Sequence, residues 1–104
     1  MFNVGKMMKQ VQKLQAEVAR MQEELAAERV EVTVGGGAVR AVANGHGELV
    51  DLTIDPAAVD PGDVTLLQDL VRAAVNEAQR KARALGEERM RALTGGVRFP
   101  GLAI

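Results

Sequence analysis

Residues 29–56 read RVEVTVGGGAVRAVANGHGELVDLTIDP, and this stretch decides the fold. Val30, Val32 and Val34 alternate with Glu31 and Thr33, the period-two pattern of a half-buried strand. Gly35-Gly36-Gly37 interrupts it. Val39 and Val42 continue in a β-branched stretch up to Asn44-Gly45, a strong hairpin-turn signal. Glu48 to Ile54 supplies a third strand, closed by Asp55-Pro56. Three strands joined by short turns predict an antiparallel meander over about residues 29–55. Its inner face takes Val30, Val32 and Val34, one alternate set from the second strand, and Val50, Leu52 or Ile54 from the third. The register stays open by one residue.

On the N-terminal side the period changes. Val4, Met7, Val11, Leu14, Val18, Met21 and Leu25 are spaced alternately three and four apart, an a/d heptad seam. Gln, Lys, Glu and Ala fill the intervening positions, all good helix formers. A helix over about residues 5–28 follows, with a narrow apolar stripe suited to coiled-coil-like contact.

On the C-terminal side, Asp60-Pro61-Gly62-Asp63 reads as a helix start, with Asp60 as N-cap and Pro61 in the first helical position. The helix runs over about residues 61–93. Leu67, Leu70, Val71, Ala74, Ala78, Ala82 and Leu85 form its core face, and Thr94-Gly95-Gly96 stops it. Gly86, inside it, costs about 1 kcal/mol relative to Ala and predicts a weakening or kink. An apolar, loose tail occupies 94–104. The order is α-β-β-β-α, an α+β fold in a single domain over residues 1–104. At 1.5 Å per residue the last helix is about 45 Å long, against about 20–24 Å for a strand of six or seven residues. The helices must overhang the sheet, and an overhang with an apolar seam predicts a homodimer with projecting helical arms.

The charge total of 13 Lys+Arg against 14 Asp+Glu excludes a uniformly basic coat. The charges are nevertheless partitioned. Residues 1–20 hold Lys6, Lys9, Lys13 and Arg20 against Glu17 alone. Residues 41–71 contain Glu48, Asp51, Asp55, Asp60, Asp63 and Asp69 and no Lys or Arg. Residues 72–104 carry seven Lys+Arg against three Glu. At 100° per residue, Lys6, Lys9, Lys13 and Arg20 share an arc of about 60°, well away from the seam. Arg72, Arg80, Arg83 and Arg91 occupy an arc of about 100° opposite the core face of the last helix. Antiparallel packing of the two helices would place the start of the first beside the end of the second, converging both stripes on the arms. Cations in the N-terminal half of the first helix run against its macrodipole, a polarity that stability alone would reverse.

Other chemistries find little support. The chain has no Cys, which excludes disulfides, thiol nucleophiles and thiolate metal sites. It has one His and no Ser, so His46 lacks a nucleophile or orienting partner. Gly35-Gly36-Gly37 is followed by no Lys-Ser/Thr and no helix, so it reads as a turn and not as a phosphate loop. Phe2 and Phe99 are the only aromatics, too few for stacking platforms. No apolar run approaches the roughly 18 residues of a membrane span, and no signal-peptide core is present. The expectation is a soluble cytoplasmic protein that is not an enzyme, with no cofactor, metal or small-molecule substrate.

Several stretches, taken together, carry a family resemblance. They are Met7-Met8-Lys9-Gln10 with Gln12, Gly35-Gly36-Gly37 leading into Val39, Asn44-Gly45 and Asp55-Pro56. Asp69-Leu70-Val71, Ala73-Ala74-Val75-Asn76-Glu77-Ala78 and Phe99-Pro100-Gly101 continue the likeness in order along nearly the whole chain. In this order they resemble the bacterial YbaB/EbfC family of nucleoid-associated proteins, and the resemblance implies a homodimer with arms shaped like tweezers, duplex DNA as partner, and roles in nucleoid organisation and gene expression. The family offers no residue-level motif to transfer. The expected DNA contacts, Lys6, Lys9, Lys13, Arg20, Arg72, Arg80, Arg83 and Arg91, therefore rest on charge geometry. The competing reading is a coiled-coil-like protein-interaction scaffold.

Overall fold

A computed structural model describes residues 3–95. Helix α1 spans Val4–Ala27, strands β1, β2 and β3 span Val30–Val34, Val39–Ala43 and Leu49–Ile54, and helix α2 spans Val64–Thr94. A 3₁₀ turn at Pro56–Ala58 joins β3 to α2. The order is the α-β-β-β-α of the sequence reading, and the three strands form one antiparallel sheet in the order β1-β2-β3. The expected tail, from residue 96 onward, lies outside the described residues.

The pairing settles the open register. Val32 faces Ala41 and Val34 faces Val39, while Ala41 and Val39 face Leu52 and Ile54. The inner set of β2 is thus Val39, Ala41 and Ala43. These three are fully buried, as are Ala74, Ala78 and Ala82 of α2. Alanines at i, i+4 and i+8 make one smooth ridge, and alanines on the facing strand let the helix axis approach closely. The core is therefore thin, and α2 lies over β1 and β2 while barely reaching β3.

Two turns rely on glycine. Gly35, Gly36 and Gly37 all have positive φ (64°, 68° and 96°), a run of left-handed residues closed to side chains at low cost. Gly45 is required for another reason. Its N–H donates to the Leu25 carbonyl at 2.7 Å, and a Cβ there would lie 2.6 Å from that same oxygen. The β2–β3 hairpin is docked onto the end of α1. Asn44 holds the turn by accepting from the N–H groups of His46 and Glu48, and His46 Nε2 donates to the Gln22 carbonyl at 2.9 Å.

The start of α2 differs from the expected one. Asp63 is the N-cap, its carboxylate accepting from Leu66 N–H at 3.2 Å, and the helix begins at Val64. Asp60 instead closes a preceding turn: its Oδ1 accepts from Gly62 N–H and its carbonyl from Asp63 N–H. Pro61 sits in that turn. Asp60, three residues before the cap, and Asp63, at the cap, both accept from a backbone N–H two or three residues on, so the sequence pattern fits both. At Gly86 α2 runs unbroken; the helix passes the hairpin there, with the Gly45 carbonyl 3.8 Å from where a Cβ would stand.

Candidate nucleic-acid interface

Where the arm lies follows from how far α2 runs back along α1. Arg89 of α2 bonds Glu28 at 2.5 Å, and Glu17, Arg20, Met21 and Glu24 share a groove with Arg89, Ala92 and Leu93. The two helices are antiparallel, the condition on which convergence of the two stripes depended. However, the end of α2 meets the middle of α1, not its start. The first half of α1 extends past the last described turn of α2. The heptad seam divides accordingly: Met21 and Leu25 are buried, Leu14 and Val18 half-buried, and Val4, Met7 and Val11 exposed. The molecule measures 74 × 27 × 16 Å, in keeping with a helix projecting from a small body.

Lys6, Lys9 and Lys13 are exposed on this projection. Arg20 and Arg91 are exposed where α1 and α2 run together, and Arg91 in the last turn of α2 also complements that helix's negative end. Arg83 is exposed midway along α2. Among the described residues none of these six makes an ion pair. Arg72 and Arg80 behave differently. Arg72 pairs with Asp69 at 2.7 Å and Arg80 pairs with Glu77, each one turn back on the same helix. The structure thus brings together five of the eight expected contacts in the arm half, leaves Arg80 and Arg83 midway along α2, and places Arg72 over the sheet body among carboxylates.

The carboxylates lie at the far end. Leu70 packs near Gly35, at the β1–β2 turn, while Gln79 donates to the Gly47 carbonyl at the β2–β3 turn. Asp55, Asp60, Asp63 and Asp69 therefore sit at the sheet end remote from the arm. On the outer sheet face Arg40 links Glu31 (2.6 Å) and Asp51 (3.2 Å). The hydrogen bond from Arg40 holds the Glu31 carboxyl below its ordinary value, and Glu31 in turn raises Arg40. The hydrogen bond that Arg89 donates to Glu28 raises Arg89 likewise. These arginines are engaged in structure.

Besides Arg40, three basic residues among the described ones escaped the arc-based selection. Lys81 is exposed and without an ion pair among the described residues, but lies off the arginine arc. Arg89 falls on the core-facing side of α2, where its partner is Glu28. Arg29 donates to the Ala26 and Glu28 carbonyls, capping the end of α1. The signal for Arg89 was available: a cation on an otherwise apolar helix face has to meet a carboxylate. Among the described residues no group of His or carboxylates could hold a metal, and no helix is long and apolar enough to cross a membrane. His46 spends its ring nitrogen on the Gln22 carbonyl.

What this arrangement can do is present point charges along one exposed helix. Lys6 to Arg20 spans about 21 Å at 1.5 Å per residue, a reach over several phosphates of a duplex. Comparisons with known proteins agree in kind. The model of the YbaB/EbfC DNA-binding family matches residues 1–97. A nucleoid-associated protein of Pelotomaculum thermopropionicum is 54% identical over 100 residues, covering 96% of this chain and 95% of that one. One of Moorella thermoacetica is 55% identical over 101 residues, covering 97% of each. The crystal structure of the uncharacterized protein HP0035 from Helicobacter pylori has a TM-score of 0.72 at 25% identity, covering 88% of this chain and 94% of that one. With the fold, the order of motifs and the whole-length match in agreement, the chain belongs to the YbaB/EbfC DNA-binding family.

Proposed function

We propose that this protein binds duplex DNA as a homodimer, through the basic faces of its arms, and acts on the cytoplasmic nucleoid by organising DNA. An influence on gene expression follows from occupancy of that DNA. It works by binding and not by catalysis. The observation that carries the reading is a row of cations on α1 that are spent on no carboxylate, placed on a projection remote from the acidic end. Lys6, Lys9, Lys13, Arg20 and Arg91 neutralise phosphates, with Arg83 at the root of the arm. Arg72 and Arg80 contribute less, because each is already paired. Among the described residues no helix-turn-helix or zinc module is placed to read base edges, so affinity is modest, steeply salt-dependent and little dependent on sequence.

Titration against an arbitrary duplex at several salt concentrations tests this. A log–log slope of several units is expected, since each phosphate neutralised contributes about 0.9. Lys9→Ala with Lys13→Ala should weaken binding to all duplexes alike and flatten the slope. An unchanged affinity would remove the stripe from the interface. The exposed Val4, Met7, Met8 and Val11 favour a second reading, a protein-interaction scaffold. Absence of binding even at about 50 mM salt would put that reading first.

A further inference from the structure

We infer that His46 and Glu28 are positioning residues for DNA binding: the β2–β3 turn and the Glu28–Arg89 ion pair together clamp the C-terminal end of α1 and so aim the arm. This deepens the DNA-binding reading above and rests on it. The placement of the anchors carries the inference. Among the described residues, every hydrogen bond and ion pair from α1 and its caps to another element falls between Gln22 and Glu28. The Gln22 carbonyl accepts from His46 Nε2 at 2.9 Å, the Leu25 carbonyl from Gly45 N–H at 2.7 Å, and the Glu28 carboxylate from Arg89 at 2.5 Å. Met21 and Leu25, the buried side chains of the helix, lie in the same stretch. Ahead of it Leu14, Glu17 and Val18 are half-buried, and residues 4–13 are exposed.

Such a helix is a lever. Lys6 stands about 28 Å along the axis from Leu25 at 1.5 Å per residue. A tilt of about 10° at the clamp would carry Lys6 by about 5 Å, more than the roughly 3.4 Å between phosphates along one strand. The angle of α1 therefore decides which phosphates its row of cations can meet at once. The three grips are spread over about 9 Å of axis, and a spread of grips resists tilt where a single one would act as a pivot.

The turn that does the gripping is itself held. Asn44 is buried; its Oδ1 accepts from the N–H groups of His46 and Glu48, and its Nδ2 donates to the Glu48 carboxylate at 2.8 Å. Gln79 of α2 donates to the Gly47 carbonyl at 3.2 Å, tying the turn to the long helix. His46 thus reaches α1 from the sheet and Arg89 reaches it from α2. Charge and position predict opposite signs for one substitution. Glu28→Ala removes a carboxylate, which by field alone would raise affinity for a polyanion. As the loss of a clamp it lowers affinity, since only the fraction of molecules with the arm correctly aimed binds.

The experiment uses the full chain with nitroxide labels at Gln10→Cys and Gln68→Cys, both exposed and neither an arm cation; the absence of native cysteine makes labelling specific. Labelled chain is diluted in excess unlabelled chain, so each distance is measured within one copy. Pulsed dipolar spectroscopy reads the arm-to-body distance distribution, duplex titration at several salt concentrations reads binding, and circular dichroism follows the fold. Glu28→Ala and His46→Ala, singly, should broaden the distribution and weaken binding by about three- to tenfold, with the log–log slope unchanged because every arm cation is retained. Glu28→Arg with Arg89→Glu, which reverses the pair without altering net charge, should restore both width and affinity. An unchanged distribution in both single variants would overturn the clamp. A broadened distribution with undiminished affinity would overturn the positioning role, and a rise in affinity with Glu28→Ala would show that charge alone acts. Absence of binding by the unsubstituted chain would overturn the DNA-binding reading and the positioning role with it, whereas the distance distributions judge the clamp independently.

Discussion

At Gly45 a single hydrogen atom in place of a methyl group lets a hairpin seat against the last turn of α1. The Leu25 carbonyl, which at the helix end meets only the Glu28 N–H at 3.2 Å, a donor shared with Glu24, accepts the Gly45 N–H at 2.7 Å. A Cβ would stand 2.6 Å from that oxygen and 2.8 Å from a Leu25 methyl, and neither backbone can yield without opening the hairpin. Gly45→Ala is expected to destabilise by about 1–3 kcal/mol as an overpacked contact, read from the urea midpoint. Gly36 is the contrast. Nothing lies within 4 Å of its missing Cβ, but its φ is 68°, so Gly36→Ala pays only the left-handed strain of about 1–2 kcal/mol. The Arg40–Glu31 pair makes a different prediction. The Glu31 carboxyl lies below its ordinary value because Arg40 donates to it, so the folded state holds the charged form more tightly than the unfolded chain. Its stabilisation is complete above the ordinary carboxylate range and fades as pH falls through the lowered value. Arg40→Gln should return the Glu31 carboxyl upward, visible by NMR titration of its side-chain carbon.

Among the elements, α1 is the one whose two halves live in different surroundings. Leu25 and Met21 are buried under the hairpin and α2, whereas Val4, Met7 and Val11 continue the same seam into the open. Leu25→Ala should cost about 2–5 kcal/mol as a buried truncation, while Val11→Ala should change the denaturant midpoint by less than about 0.5 kcal/mol. Equal effects would mean that the outer half of the seam is covered too. Local patterns made these elements legible: a three-four spacing for α1, a switch to period two at Val30, Asn44-Gly45 for the hairpin. What the sequence left open was set by longer-range geometry. Which set of β2 faces inward depended on the pairing of Val34 with Val39 across a four-residue glycine-rich turn. Where the seam stops being buried depended on how far α2 runs back along α1, a matter of hairpin docking. The start of α2 was misplaced by three residues because Asp60 and Asp63 both make turn-like bonds, and only Asp63 reaches a helical N–H.

For the whole molecule, the partition of charge matters more than its total of −1. The cations at one end and Asp55, Asp60, Asp63 and Asp69 at the other are held apart by the length of the sheet, in a body 74 Å long. Clustering of like charge was readable from the sequence. Its sorting into free and paired cations was not: Asp69 to Arg72 and Glu77 to Arg80 pair across one turn, whereas Glu17 to Arg20 and Glu88 to Arg91 have the same spacing and do not pair. This yields a prediction in which removing a carboxylate, and not a cation, reports on the site. Asp69→Ala frees Arg72 at the acidic end, where the remaining carboxylates still repel phosphate. Duplex affinity and salt slope should stay unchanged. Glu77→Ala frees Arg80 on the side of α2 that continues toward Arg83 and Arg91. If the proposed face is correct, affinity should rise and the log–log slope steepen by about one unit for each phosphate newly met. The two substitutions remove the same charge from the same helix, so a general change in net charge would affect both titrations equally. An increase with Asp69→Ala as large as that with Glu77→Ala would show that DNA follows the overall field of the molecule and not the arm.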